Sequence, residues 1–142
     1  MKEGSRANAL LVELLLVIFF FMLSAAILVQ VYADAKLKSR TAHATNYSML
    51  EAQNIAEDLY VADSPDKVLD EYGFAEKDSV WLLEKDGYLL KVTSHEEKTE
   101  SGILRTYDVS GIEVIRDQTG AEKENILLTI PSTRYIPKEV SP

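Results

Sequence analysis

The chain of 142 residues contains no cysteine, which excludes disulfide bonds, thiolate metal ligands and a cysteine nucleophile. Histidine occurs only twice, as His43 and His95, and no metal-binding spacing relates the two positions. The sequence also has no glycine-rich phosphate loop and no serine-nucleophile elbow. We therefore expect a protein that is not an enzyme, binds no metal or cofactor, and carries both histidines on its solvated surface.

Basic side chains are in the minority over most of the length. From Asp34 to Pro142 there are 21 Asp and Glu residues against 13 Lys and Arg residues, which accounts for the whole net charge of -8 at pH 7. Because a surface of this sign repels phosphate backbones, we expect no nucleic-acid partner.

Proline and glycine are absent from residue 5 to residue 64, so a long helix can run there without a break. Its first part, residues 9–33, is nearly all apolar and measures about 38 Å as a helix, enough to cross a bilayer with some tilt. Glu13 opposes insertion by up to ~3 kcal/mol. Sixteen Leu, Ile, Val and Phe residues between 10 and 31 each favour it by about 0.3–0.6 kcal/mol. We expect this segment to enter a membrane.

Three interpretations of the apolar segment remain open. A signal peptide could be cleaved after Ala33, because Val31 and Ala33 place small residues where signal peptidase inspects the chain. A plain single-pass anchor could tolerate Glu13 near the interface, where an acid suits the N-terminus of a helix. In the third interpretation, Glu13 has a specific partner.

The third interpretation draws on the stretch ALLVELLLVI, residues 9–18, which resembles the N-terminal signature of type IV pilins and pseudopilins. In that family, a short basic leader is removed ahead of an apolar helix that carries a glutamate four residues past the first mature residue. Aligned on Glu13, the resemblance implies a leader of residues 1–8, cleavage between Asn8 and Ala9, and methylation of the amine of Ala9. The family normally has glycine where this chain has Asn8.

The resemblance also implies a role for Glu13. Cleavage creates a positive amine at the start of an apolar helix, and in the family's filaments the glutamate is thought to meet the amine of a neighbouring subunit. An unpaired charge is expensive in lipid, and pairing relieves that cost for both groups. By resemblance, Glu13 would pair with the amine of Ala9 on an adjacent subunit.

Residues 34–62 continue the helix as an amphipathic segment. Its predicted apolar stripe consists of Tyr47, Leu50, Ile55 and Leu59, with Ala44, Ala52 and Ala56 nearby. The long helix should end near residue 62, because Ser64 and Pro65 are a start signal for a short second helix. That short helix should close at Gly73.

The remainder, within residues 63–142, has the pattern of a small antiparallel β head. We expect four strands, at residues 79–85, 88–93, 103–116 and 126–130, with Asp86-Gly87 as a hairpin turn and a charged loop at 94–101. A β-bulge is expected at Ser110-Gly111, Trp81 and Tyr88 are expected in the core, and Pro131, Pro137 and Pro142 should limit further pairing. The predicted fold class is α+β, with the long helix packed on the sheet through its stripe. The resemblance to pilins implies the same architecture.

The function implied by the resemblance is that of a structural subunit, a minor pilin or pseudopilin of a type IV pilus-like filament or related secretion machine. Its partners would be other pilin-like subunits, a prepilin peptidase and an assembly platform in the inner membrane. The chain would cross the cytoplasmic membrane once, with its C-terminal domain outside the cytoplasm. The alternative is a membrane-anchored or signal-peptide-secreted extracytoplasmic domain that binds a partner.

Overall fold

The computed structural model describes residues 2–139. Two helices come first, α1 (Lys2–Val61) and α2 (Pro65–Tyr72), and five strands follow: β1 (Ala75–Lys77), β2 (Val80–Lys85), β3 (Tyr88–Lys98), β4 (Gly102–Arg116) and β5 (Glu122–Pro137). The fold class is α+β, as predicted, but the sheet has five strands rather than four. The chain divides into two compact units, one ending at Ser39 and the other beginning at Arg40.

The first unit contains only the N-terminal part of helix α1, up to Ser39. The helix begins at Lys2, ahead of the predicted start at residue 9. Gly4 is the least favourable residue for a helix in this early stretch, at about 1 kcal/mol relative to alanine. Every side chain from residue 2 to residue 39 is exposed.

The second unit contains the sheet, in which all five strands pair antiparallel in chain order. The expected charged loop at residues 94–101 is wrong, because β3 continues to Lys98 and stays paired with β4. Opposite charges support this extension. Arg105 and Glu96 are cross-strand partners, and the Arg105 Nε donates to Glu96 Oε1 at 2.6 Å.

Strand β5 is the outermost strand next to β4, and it is much longer than the expected segment at residues 126–130. The β-bulge predicted beside Gly111 is present. Gly111 pairs with Leu128, whereas Ile112 pairs with Ile126, so Leu127 is the extra residue. The bulge therefore lies on β5 and not on β4 as the sequence suggested.

Strand β5 runs through Pro131 and ends at Pro137, so the expectation that these prolines limit pairing is wrong. Lys138, directly after β5, donates its N–H to the carbonyl of Ser101 at 3.0 Å, on the side of β4. Backbone direction alternates along a strand, so positions 137 and 131 have their nitrogens directed to the open edge. Proline there removes only a donor that β4 does not use. Pro142 lies outside the described residues.

The strand that sequence reasoning missed, β1, is joined to β2 by the two-residue turn Asp78-Ser79. Both residues adopt left-handed backbone conformations, with φ of 52° and 62°. This is the pattern of a type I′ hairpin turn, which normally selects Asn-Gly or another glycine-containing pair. The missing glycine explains why the turn was not recognised in the sequence.

Replacing Ser79 by glycine should stabilise the protein. Glycine adopts a positive φ without the steric penalty of a Cβ, so we expect a gain of about 0.5–1 kcal/mol in the free energy of unfolding. The measurement is chemical unfolding of the detergent-solubilised full-length chain, followed by fluorescence of Trp81, its only tryptophan. Gly87, with φ of 90° in the β2–β3 turn, supplies the control, because Gly87→Ala should destabilise instead. A loss of stability from Ser79→Gly, or a gain from Gly87→Ala, would contradict the backbone argument.

Residues 40–61 of α1 pack on one face of the sheet. The side chains that this part of the helix buries are Ala44, Ser48, Ala52, Ile55, Ala56 and Leu59. The predicted stripe is correct for Ile55, Leu59 and the three alanines. It is wrong for Tyr47 and Leu50, which are 53 % and 59 % exposed. Small residues bring the helix close to the strands, so the larger side chains beside them project outward.

Helix α2 covers one end of the core. It follows Ser64, has Pro65 at its first position and is capped by Gly73, as predicted, although the Ser64 side chain makes no capping hydrogen bond. Leu69 of this helix is fully buried in the cluster that also contains Phe74.

A polar cluster links α1 to the β2–β3 hairpin. The hydroxyl of Tyr88, which is buried as predicted, donates to Glu51 Oε2 at 2.8 Å, and Lys85 Nζ lies 3.5 Å from Glu51 Oε1. Burial of the phenol, together with its bond to the Glu51 carboxylate, raises the pKa of Tyr88 to about 12. Trp81 is half-buried and packs against the same core.

Candidate assembly surface

The candidate functional surface is the apolar part of α1, within the first unit. The exposed fraction of its large apolar side chains between residues 10 and 31 ranges from 45 % at Leu23 to 75 % at Phe21. Soluble monomers rarely expose a continuous apolar surface of this extent. The helix is long and apolar enough to cross a membrane. A bilayer, or other apolar helices within one, would provide the environment that this surface requires.

Glu13 is the one acidic side chain within residues 9–33, and it is exposed on α1. It projects from the same helical face as Phe20 and Ser24, which are seven and eleven residues further on. The Ser24 hydroxyl donates a hydrogen bond to the carbonyl of Phe20 at 2.9 Å, within the helix itself. Glu13 does not belong to any ion pair among residues 2–139. Its carboxylate is thus available to a group outside this chain.

The predicted cleavage junction lies close to Glu13. Asn8 and Ala9 are exposed and belong to the same continuous helix. Ala9 precedes Glu13 by four residues, so the two lie on nearly the same face and about 6 Å apart along the axis. An amine at Ala9 would therefore be presented on the same face of the helix as the carboxylate.

Charge returns immediately beyond the apolar segment. Asp34, Lys36, Lys38 and Arg40 follow one another at every second position of α1, all of them exposed. The apolar surface is therefore bounded by Glu13 near one end and by this mixed group of charges at the other.

The histidine and acidic side chains do not converge on a metal site in the described part of the chain. Within residues 2–139, no group of three or more His, Asp or Glu side chains could hold a metal ion. His43 and His95 are both exposed, as predicted, on α1 and β3 respectively.

The second unit also has an open groove of about 690 Å³ between the end of α1 and β5, which sequence reasoning missed. Its lining residues are Gln53, Ala56, Glu57, Tyr60, Val61, Ile130, Pro131, Ser132 and Thr133. The groove depends on the register of β5 against the helix, where the Ser132 hydroxyl donates to the carbonyl of Ala56 at 2.8 Å. No local sequence signal encodes that register.

Comparison of the chain with protein-family models, with curated proteins and with solved structures finds no match. The fold and the apolar surface of α1 define only a broad class of protein. The protein is α+β, with an N-terminal helix that can cross a membrane and a sheet-containing unit that follows it. The roles of Asn8, Ala9 and Glu13 stay predictions.

Proposed function

We propose that this protein is a structural subunit, a minor pilin or pseudopilin, of a type IV pilus-like filament or a related secretion machine. The observation that carries the proposal is the position of Glu13. It is an isolated carboxylate on an exposed apolar helix, four residues beyond Ala9, within a stretch that resembles the family's signature. An ordinary anchor has no need of an acid at this position.

Assembly in this proposal is driven by the apolar helix and directed by Glu13. A prepilin peptidase removes residues 1–8 and leaves a positive amine on Ala9, which can then be methylated. In lipid, this amine and the Glu13 carboxylate are each poorly solvated, so each favours a partner of opposite charge. Pairing of Glu13 on one subunit with Ala9 on the next satisfies both groups and fixes the stagger between their helices.

The location follows from the same proposal. The subunit is held in the cytoplasmic membrane by residues 9–33, and its sheet-containing unit lies outside the cytoplasm. An assembly platform in the inner membrane brings the subunit into contact with other pilin-like subunits. Their apolar helices replace lipid around the exposed surface of α1, which agrees with the high exposure of its large side chains.

The test is the intact mass and N-terminal sequence of the protein recovered from its native membrane. We expect a chain that starts at Ala9, with an additional methyl group on the amine. A start at Asp34 would contradict the proposal, because signal peptidase would have removed Glu13 with the apolar segment. A start at Met1 would also contradict it and would favour the anchored binding domain, for which the groove beside β5 is the available surface.

A further inference from the structure

Glu13 and the amine that the proposed cleavage would leave on Ala9 have the same spacing as two charged side chains at the other end of the apolar helix. Ala9 and Glu13 are four residues apart, and so are Asp34 and Lys38. The second pair repeats the first after 25 residues. Because 25 residues make very nearly seven turns, a side chain and its counterpart 25 positions later lie within about 20° of each other around the axis. All four residues belong to the first unit, where α1 is unbroken.

This repeat has a consequence for two parallel helices in contact. A stagger of four residues that brings Glu13 of one copy level with Ala9 of the next also brings Lys38 of the first level with Asp34 of the second. The second meeting lies about 38 Å further along the axis. Lys38 is on the Glu13 face of its helix, and Asp34 is on the Ala9 face of its own. Both pairs therefore lie in the same line of contact between the two helices, which we call the seam.

The other two basic residues at this level do not fit the seam. Relative to Glu13, Lys36 is rotated by about 140° and Arg40 by about 180° around the helix. Only Lys38, among the three, faces the neighbour. Within residues 2–139, Asp34 and Lys38 belong to none of the ion pairs that the structure forms, so they do not neutralise each other along the helix.

We propose that Lys38 of one copy of this chain pairs with Asp34 of the adjacent copy, as a second electrostatic lock at the opposite end of the apolar segment from Glu13. This inference rests on the proposed function. The Lys38–Asp34 pair has the opposite polarity to the Glu13–Ala9 pair. The copy that supplies the acid Glu13 at one end of the apolar segment supplies the base Lys38 at the other end. Each added subunit must satisfy both pairs at once, so a slip of one helical turn would break both.

The first experiment uses reciprocal charge reversals in the full-length chain, expressed in its native cell. Asp34→Lys alone places two lysines opposite each other across the seam, and Lys38→Asp alone places two aspartates there. We expect each to reduce assembled subunits at least tenfold. Co-expression of the two variants should restore assembly, because an alternating array pairs opposite charges at every contact. Within each variant helix, positions 34 and 38 still carry like charge, so a purely intrahelical pair would not be restored.

Matched controls come from the basic residues that face elsewhere. Lys36→Asp and Arg40→Asp change the net charge by the same amount as Lys38→Asp, but on the far side of the helix. Both should assemble within about twofold of the unmodified chain. Immunoblots of the membrane fraction verify that every variant accumulates equally.

Disulfide cross-linking gives a second, geometric readout, and the absence of native cysteine makes it specific. Differently tagged chains carrying Asp34→Cys and Lys38→Cys are co-expressed and oxidised. We expect a cross-linked dimer that contains both tags, because the seam brings these positions to the separation that a disulfide needs. The pairing of Asp34→Cys with Lys36→Cys should give at least tenfold less of this dimer.

The outcomes separate this inference from the proposed function. If the chain starts at Ala9 and assembles, but the charge reversals assemble normally or co-expression does not rescue them, the second lock is wrong and the proposed function stands. If the unmodified chain does not assemble and its start is not Ala9, both fall. Reciprocal rescue together with the selective cross-link would establish the second lock.

Discussion

Replacement of Glu13 by glutamine is expected to abolish incorporation of the subunit into filaments while leaving membrane insertion intact. Glutamine has nearly the same shape but cannot neutralise an amine in lipid. Loss of one partner of a desolvated charge pair costs about 2–5 kcal/mol, enough for a tenfold or greater loss of affinity at each contact. Insertion should not weaken, because a neutral amide is easier to bury than a carboxylate. The measurement is the amount of tagged subunit in sheared filaments, relative to the amount in membranes.

A matched control keeps a carboxylate in the helix but moves it to a different helical face. The double variant Glu13→Gln with Leu14→Glu has the same net charge as the unmodified chain and nearly the same composition. Its carboxylate, now at position 14, is rotated by about 100° around the helix axis from position 13. We expect it to insert and to remain unassembled. Normal incorporation of either variant would show that a carboxylate on this particular face is not required, and the pairing role of Glu13 would have to be abandoned.

Replacement of Gly111 by alanine should strongly destabilise the sheet-containing unit. A Cβ on Gly111 would lie 2.7 Å from the Oγ and 2.8 Å from the Cβ of Ser48. Ser48 is fully buried on α1, so the helix itself must shift. Overpacking of this kind costs about 1–3 kcal/mol, and the loss of surrounding contacts adds to it. Chemical unfolding of the detergent-solubilised full-length chain, monitored through Trp81, would measure the loss.

A second substitution distinguishes a steric clash from a backbone effect. Ser48→Gly removes both atoms that the new methyl group would strike. In a double-mutant cycle, Gly111→Ala should therefore be much less harmful when position 48 carries no side chain, with a coupling of at least about 1 kcal/mol. Ser110→Ala, one position away on the opposite face, should have little effect. Strict additivity of the Gly111 and Ser48 changes would contradict the proposed clash.

Local signals made the helices predictable. No proline or glycine occurs between residue 5 and residue 64, so nothing interrupts α1, and Ser64, Pro65 and Gly73 bound α2. The Asp86-Gly87 turn was also visible, because glycine supplies the left-handed conformation there. The sequence did not reveal the equivalent turn at Asp78-Ser79, where two ordinary residues are held at positive φ by the pairing of the flanking strands.

Features that depend on tertiary packing were harder to predict from the sequence. Pro131 normally argues against a strand, and only the outermost position of β5 reverses that argument. Tyr47 and Leu50 have the periodicity of core residues, but the helix packs on the sheet through the smaller side chains Ala44 and Ser48 instead. The Asp34–Lys38 spacing was present in the sequence. Its significance depends on α1 being unbroken from residue 9 through residue 38, which the sequence predicted and the structure confirms.

The two prolines of β5 also bear on crowding. Subunits held side by side in the proposed filament would meet at effective concentrations in the millimolar range, as for other tethered neighbours. Under such conditions, an open sheet edge is a template on which another chain can add its own strand and begin a cross-β fibril. Pro131 and Pro137 interrupt the row of outward donors on that edge, so a continuous ladder cannot propagate along it. Polymerisation would then be confined to the apolar helices, and sheet-to-sheet aggregation would be disfavoured.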